Sequence, residues 1–132
     1  MEKEFVPYEL ALELKQLGFD EPCISHYTVY GKFSNDYSAP RKYNSEFELG
    51  SYISAPLYQQ AFRWFREKHN LNGILNHYPN TKLWDFSVHD LTWSGKEFIE
   101  YVKKEDRSVK YPTHEEAELA CLKKLIEIVK TK

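Results

Sequence analysis

The chain has 132 residues, 42% of them hydrophobic and 29% charged, which is the composition of a folded domain and excludes a wholly disordered segment. Its 18 basic and 20 acidic residues leave a net charge of −2, so no overall field draws it to nucleic acid or to an anionic membrane. At this length about two thirds of the surface is buried on folding, enough for a core without disulfides or a structural metal.

The first predicted element is a helix from Pro7 to Leu17. Proline at a first helical position forfeits no hydrogen bond, and Gly18 supplies the left-handed residue that ends the helix, with Phe19 folding back on Leu14. Leu10, Ala11, Leu14 and Leu17 share one face, while Tyr8 and Leu12 fall on the far side as an off-face apolar pair. Ile24–Phe33 reads as a strand broken near Gly31, rich in β-branched and aromatic residues. Ser34–Ser45 is polar and turn-rich and reads as a loop, and Phe47 and Leu49 alternate with Glu46 and Glu48 as a short returning strand.

A second helix is expected over roughly Pro56 to His69, with Ser54 as its cap. Leu57, Tyr58, Ala61, Phe62, Trp64 and Phe65 fill a wide apolar arc opposite Gln59, Gln60, Arg63, Arg66 and Glu67, which places this helix centrally on a sheet. Strands follow at Gly73–Tyr78 and Leu83–Thr92, joined by a turn at Pro79-Asn80, and a further strand is expected at Glu97–Val102. The third helix starts at Thr113, with Glu116 three residues on as a capping box. Its core face is Leu119, Leu122, Leu125, Ile126 and Val129, with Cys121 and Ile128 at one edge. The expected fold is a single α+β domain over 1–132. Its antiparallel sheet has about four to five strands with three helices, in the order α-ββ-α-βββ-α.

Chemistry is sparsely signalled. Cys23 and Cys121 form no CxxC and have no histidine at metal-ligand spacing, so both read as reduced, buried side chains. There is no nucleophile elbow, Walker loop, dinucleotide fingerprint or deaminase motif, and five isolated glycines build no phosphate cradle. No cofactor or metal is expected. His77 and His89 fall on neighbouring strands with Asp85 nearby, an arrangement that would suit a metal-assisted or acid-base enzyme if the strand register brought them together. Glu118 breaks the apolar arc of the third helix and is the first carboxylate to inspect for a raised pKa.

The aromatic content is high, with 10 Tyr, 8 Phe and 3 Trp. Tyr37 and Tyr43 flank Arg41 and Lys42 in the polar loop, a set of side chains suited to a protein interface or to stacking and clamping a nucleotide. The opening residues MEKEFVPYEL carry no signal-peptide stretch and no apolar run approaches bilayer length, so a cytoplasmic protein without membrane association is expected.

Two stretches, SAPLYQQAFRWFREKHNL (54–71) and YPTHEEAELACLKKLIEIVK (111–130), with YELALELKQLGFDEPC (8–23) ahead of them, resemble a group of small proteins from Bacteroidetes and their phages and prophages. The resemblance covers less than half of the chain and falls on the helices. It implies a cytosolic, phage-derived accessory protein and supplies no activity, ligand or catalytic residue. The expected function is a non-enzymatic interaction module that binds a host protein or itself. Nucleic-acid or nucleotide binding through residues 34–45 is the alternative, and an enzyme using His77, His89, Asp85 or Glu118 is the second.

Overall fold

The computed structural model describes residues 2–35, 44–46, 52–92 and 109–131. The chain divides into two compact units, Met1–Ala61 and Phe62–Lys132. Three helices and five antiparallel strands make the fold α+β, as expected, but among the described residues the strands form two sheets and not one. Among the described residues the order is α-βββ-α-ββ-α: the strand expected over Ile24–Phe33 is two strands, and a third stands at 52–54. The expected strands at Phe47–Leu49 and Glu97–Val102 lie outside the described residues.

The first unit opens with α1 (Tyr8–Gln16), which starts one residue later than expected: Pro7 is extended and stands at the N-cap position, not at the first helical one, and Leu17 ends the helix. Gly18 has φ +96°, and the Phe19 N–H reaches back to the Leu14 carbonyl at 2.9 Å while that of Gly18 bonds Lys15. This is the glycine-terminated cap expected from the sequence, and it buries Leu14 and Phe19. Next come β1 (Ser25–Thr28) and β2 (Phe33–Asn35), and β3 (Tyr52–Ser54) pairs on the other side of β1. Ser54 therefore belongs to a strand, is fully buried, and does not cap the following helix.

Two buried polar side chains in this unit, Tyr27 and Asn44, are tied to backbone, which offsets their desolvation. Tyr27 donates to the Val6 carbonyl at 2.7 Å. The Asn44 side chain donates to Phe19 and accepts from the Ser54 N–H, both at 2.8 Å. Phe5, Phe33, Tyr27 and Tyr8 form a run of ring contacts with centroid spacings of 5.2 to 5.6 Å. Tyr8 is thus consumed by its own unit, so the off-face apolar pair expected with Leu12 is not presented as a surface by its tyrosine.

The helix α2 (Tyr58–His69) begins in the first unit and continues in the second. Its expected apolar arc holds for Tyr58, Ala61, Phe62, Trp64 and Phe65, all buried, while Leu57 precedes the helix, bridges to Phe5 and is exposed. Asn70, with φ 54°, turns the chain directly into β4 (Leu71–Tyr78). A four-residue turn ending in left-handed Lys82 leads to β5 (Leu83–Asp90), and every residue of β4 faces one of β5.

The long helix α3 (His114–Lys130) covers one side of this hairpin. Its N-cap is Thr113, whose Oγ1 accepts from the Glu116 N–H at 3.1 Å, as the capping motif predicts. The buried set is Ala117, Cys121, Leu122, Leu125, Ile126 and Ile128, so Cys121 and Ile128 lie in the core instead of at its edge. Leu119 and Val129 are only half-buried. Close approach to the strands explains the shift. A Cβ built on Gly73 would stand 2.7 Å from Cys121 Sγ and 3.2 Å from Leu125 Cδ1, so glycine lets the helix sit against the sheet at this point.

Candidate functional site

The strand register separates the residues proposed for catalysis. Gly73 directs its Cβ position at α3, so Leu71, Leu75 and His77 share the α3 side of β4 with it, and Asp90, Val88, Phe86 and Trp84, the partners of Leu71, Gly73, Leu75 and His77, share it on β5. Asp85 and His89 lie on the opposite side. His77 pairs with Trp84 near the turn, whereas His89 pairs with Asn72 at the far end. The two imidazoles are on adjacent strands, as expected, but on opposite sides and at opposite ends of the hairpin. Glu118 sits on α3, across the sheet from Asp85. No four-residue site assembles from His77, His89, Asp85 and Glu118, and among the described residues no group of three His, Cys, Asp or Glu could hold a metal ion.

His77 instead packs on Trp84 at 4.4 Å between centroids, and His114 meets the same indole edge-on at 4.9 Å. Trp84 is fixed in turn by backbone bonds in both directions with Tyr111, at 2.8 and 2.7 Å. Glu118 is half-buried, and its carboxyl is pushed above the ordinary range by that burial. The nearby charge of His114 opposes the shift and that of Glu115 adds to it.

Asp85 is the centre of a different cluster. It is 4% exposed, and its Oδ1 accepts from Asn76 at 2.9 Å, while its Oδ2 accepts from the Tyr78 hydroxyl at 2.9 Å and from Lys110 at 2.7 Å. Asn76 also donates to Ser87, and the Lys110 ammonium lies 4.4 Å over the Tyr78 ring. Burial raises the Asp85 pKa, but the hydrogen bonds from Lys110, Asn76 and Tyr78 and the Lys110 charge outweigh it and hold the carboxyl below its usual value. Lys110 is correspondingly raised by its bond to Asp85. A carboxylate made less basic by three donors is poorly matched to proton transfer near neutrality. Its chemistry is that of a brace across β4, β5 and the segment entering α3.

Cys121 is unsuited to nucleophilic work, because burial, with a contribution from Glu118, pushes its thiol pKa to about 12. Cys23 is also buried. The proposed binding residues Tyr37, Arg41, Lys42 and Tyr43 lie outside the described residues.

The residue that sequence reasoning passed over is Tyr30. It is 94% exposed at the tip of the β1–β2 hairpin, beside exposed Val29. The turn beneath it is heavily tied. Gly31 N–H donates to the Thr28 carbonyl and Thr28 N–H to the Lys32 carbonyl, each at 2.9 Å. The Thr28 hydroxyl accepts from the N–H groups of Tyr30 and Lys32, and the Tyr8 hydroxyl donates to the Val29 carbonyl at 3.0 Å. Gly31 has φ +84°, and a Cβ there would meet the Tyr8 ring at 3.3 Å. This is a three-residue hairpin loop whose last position favours glycine on conformational grounds, with the Tyr8 ring close beside it. The signal was available in the Thr-Val-Tyr-Gly run, where Gly31 marks a turn and the two residues before it must occupy its crest.

Compared with protein-family models, curated proteins and solved structures, the chain matches none. Among the described residues no helix is long and apolar enough to cross a membrane.

Proposed function

We propose that this chain is a small protein-binding module that presents Tyr30 as its anchor. On the resemblance to phage-derived proteins, the partner is a host protein with an apolar pocket and a hydrogen-bond acceptor at its base. The observation that carries the reading is a nearly fully exposed tyrosine on a turn already fixed by its own hydrogen bonds. Burying a large aromatic yields several kcal/mol of apolar transfer, and a turn that is ordered before binding loses little entropy when it docks. Tyrosine has few rotatable bonds and joins an apolar ring to a polar tip, which is why it recurs at interface centres.

The test is site-specific photo-crosslinking. A benzophenone amino acid replaces Tyr30 in one protein and Lys123, exposed on α3, in another. Both are irradiated in host lysate. The reading predicts an adduct specific to position 30 that excess unlabelled wild-type chain suppresses and excess Tyr30→Ala chain does not. Equal labelling from both positions, or equal competition by both chains, would overturn it.

A further inference from the structure

We infer that the outer edge of β4 is a self-pairing surface, on which a second copy of the chain docks its own β4 antiparallel to form a continuous four-stranded sheet. The inference is independent of the role of Tyr30. Trp84 directs both its N–H and its carbonyl to Tyr111, away from β4. His77, directly opposite Trp84, therefore points its own backbone groups away from β5, and by the alternation of an antiparallel ladder so do Leu75, Gly73 and Leu71. Among the described residues no strand pairs with this edge.

Edges of this kind are ordinarily protected by charged side chains, proline or a bulge. From Leu71 to Tyr78 the strand has no charged residue and no proline, and its pairing with β5 runs through all eight residues without a bulge. The usable window is bounded at both ends. Leu71 is fully buried, and Pro79 beyond Tyr78 has no N–H. That leaves Gly73, Leu75 and His77 with outward donors and acceptors, a set symmetric about Leu75.

A two-fold axis through Leu75 sets Leu75 against Leu75 of the other copy and Gly73 against His77 in both directions. Each outward group then meets its complement. On the other side of the sheet Ile74, 38% exposed, stands opposite Asn76 of the second copy, and the two Ile74 side chains are diagonal neighbours. An uncharged edge whose outward groups match themselves under a two-fold fits its own copy without electrostatic selection for a foreign strand. A two-stranded sheet also gains by extension, since isolated strand pairs are marginal.

Sedimentation equilibrium of the full chain over a wide concentration range tests this. The wild type is expected to reach twice the mass of one chain. Ile74→Lys and Ile74→Glu place like charges diagonally across the axis and should each sediment as monomers, while their equimolar mixture should recover the doubled mass. His77→Pro removes an outward N–H without touching the β5 ladder and should also be monomeric, with circular dichroism confirming that it folds. Tyr30→Ala should still dimerise. A wild type that stays monomeric at every concentration, a dimer that survives Ile74→Lys, or a mixture that fails to re-form it would each overturn the inference.

Discussion

Lys110 Nζ stands 2.7 Å from Asp85 Oδ2 and 4.4 Å from the centre of the Tyr78 ring, so a single ammonium joins the segment entering α3 to both strands of the hairpin. Asp85 in turn collects Asn76 and Tyr78 from β4. Removing the carboxylate leaves Asn76 and Tyr78 without this acceptor while Lys110, whose side chain is about one third exposed, turns to water, whereas removing Lys110 leaves a buried carboxylate without its counter-ion. The two ends of the pair are therefore unequal.

Asp85→Ala is expected to cost about 1–2 kcal/mol, because the ammonium left behind is hydrated, and Lys110→Met about 2–3 kcal/mol, because the carboxylate left behind is buried. The folded carboxyl is held below its unfolded value, so the contribution of Asp85 is fully present above about pH 4 and is lost as pH falls through the folded pKa. Lys110 is raised, so its contribution is present below about pH 10 and is lost above that. Urea midpoints of wild type and Asp85→Asn should differ at pH 7 and converge in acid. A gap that persists at low pH would contradict the assignment.

Gly73→Ala should destabilise the second unit by about 2 kcal/mol, because the new methyl would stand 2.7 Å from Cys121 Sγ and 3.2 Å from Leu125 Cδ1 and Phe62 Cε1. Cys121→Ala removes the nearest of these atoms. In a double-mutant cycle the pair should lose less than the sum of the two single changes. In the native protein neither cysteine should react with a thiol reagent at neutral pH, since both are buried and the Cys121 thiol is pushed up to about 12. Strict additivity, or rapid native-state labelling of Cys121, would show that this contact is misplaced.

Glu118→Gln should stabilise the protein at pH 7 by about 0.5 kcal/mol. The sign follows from a carboxyl whose folded pKa is raised by burial. Its charge costs nothing while both states are protonated and begins to cost stability as pH rises past the unfolded value, about 4.5. The advantage of the glutamine should therefore vanish near pH 4. An advantage independent of pH would point to packing instead of charge.

The boundaries of α1 and α3 were legible because their determinants are local, whereas the expected Ser54 cap of α2 is taken up by β3. Pro7 and Gly18 bound α1, and Thr113 with Glu116 starts α3, each through contacts within a few residues. The hairpin at 71–90 was legible from alternation, but its register was not. Tyr78 pairs with Leu83 across a four-residue turn, so odd-numbered residues of β4 face even-numbered residues of β5. Two odd-numbered histidines then necessarily project to opposite sides, and a turn one residue shorter would have reversed this. The Asp85 brace was hidden for a related reason, since Lys110 reaches it from 25 residues away. Tyr8 was read from helical geometry as facing away from the core. The hairpin tip folds over it, which no local pattern in α1 records.

The central claim is that Tyr30 serves binding and contributes nothing to the fold, and the measurement that tests it most directly is Tyr30→Ala scored for both. The account predicts an unfolding free energy within about 0.5 kcal/mol of wild type, together with a loss of partner affinity of roughly thirtyfold or more, the scale of about 2 kcal/mol. Unchanged affinity for the crosslinked partner, or a loss of stability large enough to explain weaker binding, would contradict it.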